Sequence, residues 1–231
     1  MSKRYSMRYW VKNKVNMFNW SDVFYGACVE YKARGEHPEI DFTGDLLAFA
    51  NALHNERFRR GGPYGCAYFT PPDVAARMAV SIGAAPGMLV FDPCCGVGNL
   101  LQAAHSRGAT VQGCEIQWDL AIVCQLVGYP VDIVDWLEDV ELKHGADALV
   151  INPPFGKVWP HADIAVPFME RVARYHVPVA AVLPRGWLDK SQKKYQTVRE
   201  RFSVLEAEDL PPGTFALTQV ATTRYLLEAC G

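Results

Sequence analysis

Asn152-Pro153-Pro154-Phe155 follows directly on the apolar run Asp147-Ala148-Leu149-Val150-Ile151. These residue types at this spacing suit the holding of an aromatic amine. Leu149 to Ile151 reads as a buried strand of a parallel sheet, and the two prolines end it because neither can donate to a ladder. The chain therefore turns rigidly at the strand's carboxyl end, the edge at which ligands bind in open α/β sheets. An exocyclic amine on adenine is a poor nucleophile, because its lone pair is delocalised into the ring. The side-chain oxygen of Asn152 and the carbonyl of Pro153 can both accept hydrogen bonds from such an NH₂, and Phe155 can stack on a base turned out of its helix. Taken alone, the tetrapeptide equally describes a stiff turn whose asparagine caps backbone groups.

A second constellation lies upstream, at Val90-Phe91-Asp92-Pro93-Cys94-Cys95-Gly96-Val97-Gly98-Asn99-Leu100-Leu101. A short apolar strand runs into an acid, then a tight glycine loop, then an amphipathic helix. Gly96 and Gly98 let the backbone turn sharply and approach a ligand closely. No third glycine stands at dinucleotide spacing and no Gly-Lys-Ser/Thr follows, which argues against NAD and against a phosphate-gripping loop. The next strand ends in Glu115, placed to accept from two ribose hydroxyls. A third ends in Asp135-Trp136, suited to the amino edge and ring of an adenine. Each acid alone reads as a helix cap. Together they describe an adenosyl ligand without phosphates.

On these residues the chain resembles the S-adenosylmethionine-dependent methyltransferases, and more narrowly the adenine-N6 DNA methyltransferases of the type I restriction-modification M-subunit kind. The family's Tyr-Tyr/Phe-Thr-Pro segment is similar to Tyr68-Phe69-Thr70-Pro71, its Asp-Pro-x-Cys-Gly-x-Gly loop to Asp92 to Gly98, and its Asn-Pro-Pro-Phe/Tyr to Asn152 to Phe155. Leu210-Pro211 to Phe215 and Thr218 to Leu227 resemble its closing hairpin. The resemblance covers about Gly61 to Glu228. Cys94 departs from it, standing where a small residue such as alanine is usual, and so does the lack of a target recognition domain, which bears on sequence specificity.

The resemblance implies a methyltransferase of Rossmann-like class I α/β fold, mostly parallel with an antiparallel final strand, and a catalytic group of Asn152, Pro153, Pro154 and Phe155. It implies S-adenosyl-L-methionine as cofactor, held by Tyr68, Phe69, Thr70, Asp92, Pro93, Cys94, Gly96, Gly98, Glu115, Ile116, Asp135 and Trp136. Phe155, Phe215, Arg185, Lys193 and Lys194 are the expected nucleic-acid contacts. DNA is favoured over RNA as substrate because of the Tyr68 to Pro71 segment, with a specificity subunit or a homodimer as further partners. The rivals are an RNA methyltransferase acting on adenine N6 or guanine N2, and a non-catalytic nucleic-acid-binding protein, against which the intact motifs argue.

Composition fits this reading. The chain has 231 residues, half of them apolar, with a formal net charge of −2. That length allows one α/β domain with a full core, and no global basic field announces a nucleic-acid binder. Neither an apolar run of spanning length nor a signal peptide is found, so the protein is expected to be soluble and cytoplasmic, without membrane contact. Seven cysteines lack Cys-x-x-Cys spacing, and they read as reduced core residues with no metal site.

From Pro72 the pattern alternates. Strands are expected at Met88 to Phe91, Thr110 to Cys114, Val131 to Val134, Ala148 to Ile151 and Val177 to Leu183, with helices at Asn99 to Arg107, Trp118 to Val127, Ile164 to Tyr175 and Ser191 to Arg201. Two closing strands follow, near Val204 to Glu208 and Val220 to Leu227. Such alternation implies a parallel sheet with crossover helices. Residues 61–231 form the expected methyltransferase domain, and 1–60 a mostly helical extension with a helix around Asp45 to Phe58. In that extension Lys3, Arg4, Arg8, Lys12 and Lys14 interleave with Tyr5, Tyr9, Trp10 and Phe18, an arrangement better read as packed aromatics and solvated charges than as a nucleic-acid strip. The run Arg185, Lys190, Lys193, Lys194, Arg199 and Arg201 is read the other way, because its strand opens beside Asn152.

Overall fold

A computed structural model describes residues 68–138, 145–158, 161–215 and 218–230, together with a two-residue parallel pair, β1 (Tyr5–Ser6) and β2 (Ile40–Asp41). The helix expected at Asp45 to Phe58 and most of the basic and aromatic N-terminal strip lie outside the described residues. No helix among the described residues is long and apolar enough to cross a membrane.

The remaining strands are β3 (Leu89–Asp92), β4 (Thr110–Glu115), β5 (Val131–Ile133), β6 (Ala148–Ile151), β7 (Pro178–Pro184), β8 (Phe202–Asp209) and β9 (Thr222–Ala229). They form one sheet in the order β5-β4-β3-β6-β7-β9-β8. Neighbours from β5 through β7 are parallel, and β9 runs antiparallel to both β7 and β8. The expected closing pair forms the antiparallel edge of the sheet, with β9 between β7 and β8.

Alternation along the buried strands sorts the core into two layers. Ala148 and Val150 of β6 face one side, where α1 (Pro72–Ser81), α2 (Asn99–His105) and α3 (Trp118–Val127) contribute Met78, Leu101 and Cys124. Leu149 and Ile151 face the other, against Met169 of α4 (Ala165–Val172) and Val198 of α5 (Lys193–Arg199). A strand covered on both faces reads as an unbroken apolar run, which is why Ala148 to Ile151 was legible. The helix expected to reach Tyr175 is α-helical only to Val172 and tightens into a 3₁₀ turn over Ala173–Tyr175.

Chain order reverses direction between β3 and β6: β4 and β5 build outward on one side, β7 on the other. That reversal opens a crevice at the strands' carboxyl ends, because the connections leave in opposite directions. The loop from Asp92 to α2 fills one lip of it. Gly98, at φ +86°, caps α2, and a Cβ there would stand 3.0 Å from the Cys124 sulfur and 3.3 Å from the Tyr129 ring. Gly98→Ala is accordingly expected to lower stability by about 1–3 kcal/mol, from left-handed backbone strain plus this contact. Urea unfolding measures it, and an unchanged midpoint would mean that the loop accepts a side chain.

Candidate functional site

Four strand ends meet at one cavity. Asp92 closes β3, Glu115 closes β4, Asp135 stands two residues beyond β5, and Asn152 directly follows β6. All four line a cavity of about 390 Å³, with the Tyr68–Thr70 segment, the glycine loop and Pro153 to Phe155.

The Asn152 amide is oriented from behind. Its Nδ2 donates to the Tyr68 carbonyl at 2.7 Å and to the Thr70 hydroxyl oxygen at 3.1 Å. A backbone carbonyl only accepts, so the amide nitrogen must face Tyr68 and the oxygen must turn away from it. That oxygen is the part of the side chain left to accept from a ligand. Asn99, the first residue of α2, donates to the Thr70 carbonyl at 2.8 Å. Residues 68–70 are thus clipped between the glycine loop and the end of β6. Phe155, part-buried, packs against both core layers and keeps a face on the cavity.

Glu115 organises the loop itself. Its Oε2 accepts from the Gly96 N–H and its Oε1 from the Gln117 N–H, both at 2.8 Å. Each carboxylate oxygen has a second lone pair, so a diol can share the group with these backbone donors. Gly96 sits at φ +56°, where a Cβ would lie 3.0 Å from the Phe69 ring. A side chain there would be forced against the cavity wall.

Asp92 is different. Its Oδ1 accepts from the Cys94 N–H at 3.0 Å, while Oδ2 is buried without a partner among the described residues. Burial pushes its carboxyl from 3.8 up to about 8; the Cys94 N–H opposes the rise and the nearby Glu115 adds to it. A buried carboxylate oxygen lacking a donor suits a cationic ligand group, which would restore the charged form.

Part of the cavity lining is apolar. Ile116, 61% exposed, presents a bare aliphatic face, with Val158, Ile164 and Phe168 also lining the space. Asp135 Oδ1 accepts from the Leu137 N–H at 3.0 Å. Trp136 is mainly core: its ring stacks on Phe168 at 5.6 Å and carries the Arg171 guanidinium at 4.9 Å.

Fifteen of the residues named from the sequence line this cavity: Tyr68, Phe69, Thr70, Asp92, Pro93, Cys94, Gly96, Glu115, Ile116, Asp135, Trp136 and Asn152 to Phe155. Five do not. Gly98 packs away from it against Cys124 and Tyr129, and Phe215 is buried in the core layer of α1 to α3. Arg185 pairs with Asp209 at 3.0 Å and donates to the Leu210 carbonyl. Lys193 opens α5, and the Lys194 ammonium lies 4.9 Å from the Tyr195 ring. Asn99, Gln117, Val158, His161, Ile164 and Phe168 were not singled out although they line the cavity. Asn99 had a visible signal, its place directly after Gly98 at a helix start. The others carry no local pattern.

No family model matches the chain. A tRNA (guanine(10)-N2)-dimethyltransferase from Methanocaldococcus jannaschii is 28% identical over 120 residues, which is 44% of this chain and 34% of that protein. A modification subunit of a proposed type I restriction enzyme from Vibrio vulnificus superposes with a TM-score of 0.66 at 20% identity, covering 84% of this chain and 52% of that one. A proposed class I S-adenosylmethionine-dependent methyltransferase from Listeria monocytogenes also gives 0.66, at 15% identity over 80% of this chain and 68% of that one. The fold is that of the class I S-adenosylmethionine-dependent methyltransferases. Its likeness to a modification subunit agrees with the resemblance in the sequence. The chain spans about a third of the curated relative and about half of the modification subunit.

Because the folded pKa of Asp92 is the higher one, its contribution to stability is fully present below the unfolded value of about 4 and is lost as pH rises to about 8. Asp92→Asn is expected to remove this slope: relative to the unsubstituted chain, its urea midpoint climbs between about pH 5 and about pH 8. A ligand ammonium at Asp92 requires the carboxylate, so binding of S-adenosylhomocysteine near pH 7 is expected to release a proton. Calorimetry in buffers of different ionisation enthalpy reads it, and heats that do not depend on the buffer would remove the pairing.

Proposed function

We propose that this chain transfers a methyl group from S-adenosylmethionine to the exocyclic N6 amine of adenine in DNA, with a short or relaxed sequence preference or with a partner that supplies specificity. The observation that carries the reading is the oriented Asn152 amide, whose nitrogen is engaged by Tyr68 and Thr70 while its oxygen remains to accept at the cavity. The cofactor fits the residues present: Asp92 offers an unpartnered buried oxygen for an ammonium group, and the glycine loop leaves room where a Cβ would meet Phe69.

In this reading Asp92 takes the amino group, Thr70 the carboxylate through its hydroxyl, Glu115 the ribose diol, and Asp135 the adenine amine, with Ile116 and Trp136 on the ring. Tyr68, Phe69, Pro93 and Cys94 complete the walls. When bound, the cofactor supplies an electrophilic methyl group on a sulfonium that leaves readily as a thioether.

The chain's own part is orientation. Asn152 Oδ1 and the Pro153 carbonyl accept the two amine hydrogens, which draws the nitrogen lone pair out of the ring plane's conjugation. Phe155 stacks on the base and Pro154 stiffens the turn that presents it. No strong base is needed, because the amine becomes acidic as its new bond forms and can then release a proton to water. Holding the reactants in line is worth up to ~7–11 kcal/mol in favourable systems.

A second reading, methylation of RNA at adenine N6 or guanine N2, is favoured by the match to the tRNA guanine-N2 enzyme. The two are separated by incubating the protein with DNA or RNA and labelled S-adenosylmethionine, then digesting to nucleosides and weighing the product. N6-methyladenine from DNA is the expected result. The modified base confined to RNA, or methylguanine, would select the second reading. Asn152→Ala is expected to lower turnover by about 10²-fold or more, the scale on which losing one oriented polar group in an active site is felt. Its affinity for S-adenosylhomocysteine, measured by calorimetry, should weaken far less, since only the Tyr68–Thr70 clip is lost on that side.

A further inference from the structure

Asp163 belongs to none of the motifs above and does not line the cavity, yet its carboxylate joins four parts of the chain. Oδ1 accepts from the Gly156 and Ala165 N–H groups, both at 3.3 Å. Oδ2 accepts from the Trp187 indole N–H and the Tyr195 hydroxyl, both at 2.9 Å, with the Lys190 ammonium 3.7 Å away. The group is buried, as are Trp187 and Tyr195, whose rings meet edge to face at 5.1 Å. Burial first, and then Asp163 itself, pushes the Tyr195 hydroxyl up to about 12, so it remains a donor at neutral pH.

Gly156 is the residue directly after Phe155. Its N–H is held by Asp163 and its carbonyl accepts from the Ile164 N–H at 3.0 Å. It sits at φ +80°, a left-handed conformation in which the chain leaves Phe155 in a direction that other residues seldom adopt. The position of the Phe155 ring therefore depends, beside its packing on both core layers, on what holds Gly156. That is a carboxylate anchored on the segment after β7.

We propose that Asp163 is a positioning residue for the base-binding half of the cavity: it fixes Gly156, and through it Phe155, against the Trp187–Tyr195 segment. The inference rests on the methyl-transfer reading for its effect on turnover, but the anchoring can be measured without it. Asp92 and Glu115 take their hydrogen bonds from the glycine loop and Gln117, whereas those of Asp163 come from Gly156, Ala165, Trp187 and Tyr195.

Asp163→Asn tests this. The amide keeps one oxygen for Gly156 and Ala165 but turns an NH₂ towards the Trp187 indole, which can only donate. Hydrogen exchange at the Gly156 amide is expected to quicken by about tenfold or more, because the anchor that holds its acceptor in place loses roughly one hydrogen bond at the Trp187 side. Turnover on the nucleic acid that the unsubstituted chain methylates is expected to fall by a similar factor, with S-adenosylhomocysteine affinity unchanged within about threefold. Should that variant fail to fold, Tyr195→Phe removes one bond at Oδ2 and leaves the carboxylate, and a smaller shift of the same kind is expected. Unchanged Gly156 exchange in the folded variant would overturn the proposal, as would an equal loss of cofactor affinity. If the unsubstituted chain methylates no nucleic acid, the methyl-transfer reading falls, and the exchange measurement still decides whether Asp163 holds the loop.

Discussion

The Asn152 amide reaches across 84 residues of chain to the Tyr68 carbonyl, and the architecture of the cavity follows from that reach. With Asn99 holding the Thr70 carbonyl, the segment ahead of α1 is pinned over the glycine loop and against the end of β6. One rigid group therefore serves two surfaces. Its nitrogen side ties the Tyr68–Thr70 wall to the end of β6, and its oxygen side is left to accept. A hydroxyl at position 152 could not do both, because it lacks a planar group with donors on one side and an acceptor on the other.

Three buried carboxylates in or beside the cavity meet three environments, and the differences decide what each can do. Glu115 is surrounded by backbone N–H groups and stays engaged. Asp163 has donors on both oxygens and functions as a fixed post. Asp92 has one donor and one bare oxygen, so burial outweighs hydrogen bonding and its proton is retained to about pH 8. A group left in that condition is costly to the empty fold. Such local cost is ordinarily tolerated where a ligand relieves it.

Much of this could be read from sequence because the informative signals are local. Ala148 to Ile151 is apolar on both faces, the two prolines mark its end, and acids at strand ends announce themselves one strand at a time. Asp135 and Trp136 followed from the same pattern and Ile116 from the family resemblance, and all three line the cavity. What escaped notice depends on distant contacts. Gly98 looks like a ligand-facing glycine, yet Cys124 and Tyr129, far along the chain, claim the space beside it. Arg185 looks like a free cation until β8 brings Asp209 to it. Asp163 sits in no motif, and its partners Trp187 and Tyr195 come from beyond the next strand. The placement of β9 inside the sheet is likewise a matter of topology that periodicity does not encode.

That placement has a consequence for the order in which the chain can assemble. β7 pairs with β9 along all of its seven residues, from Pro178 opposite Glu228 to Pro184 opposite Thr222. β8 reaches the sheet only through β9. Until Thr222 to Ala229 arrives, β7 is an open edge and β8 has nothing to dock on. A nascent chain can thus complete the crevice between β3 and β6 while its sheet still ends in an unpaired, apolar strand, the kind of surface that invites association with other chains. Closing it requires β9, with β8 paired along its far side, to dock on β7, a non-local step that carries a loop-closure cost.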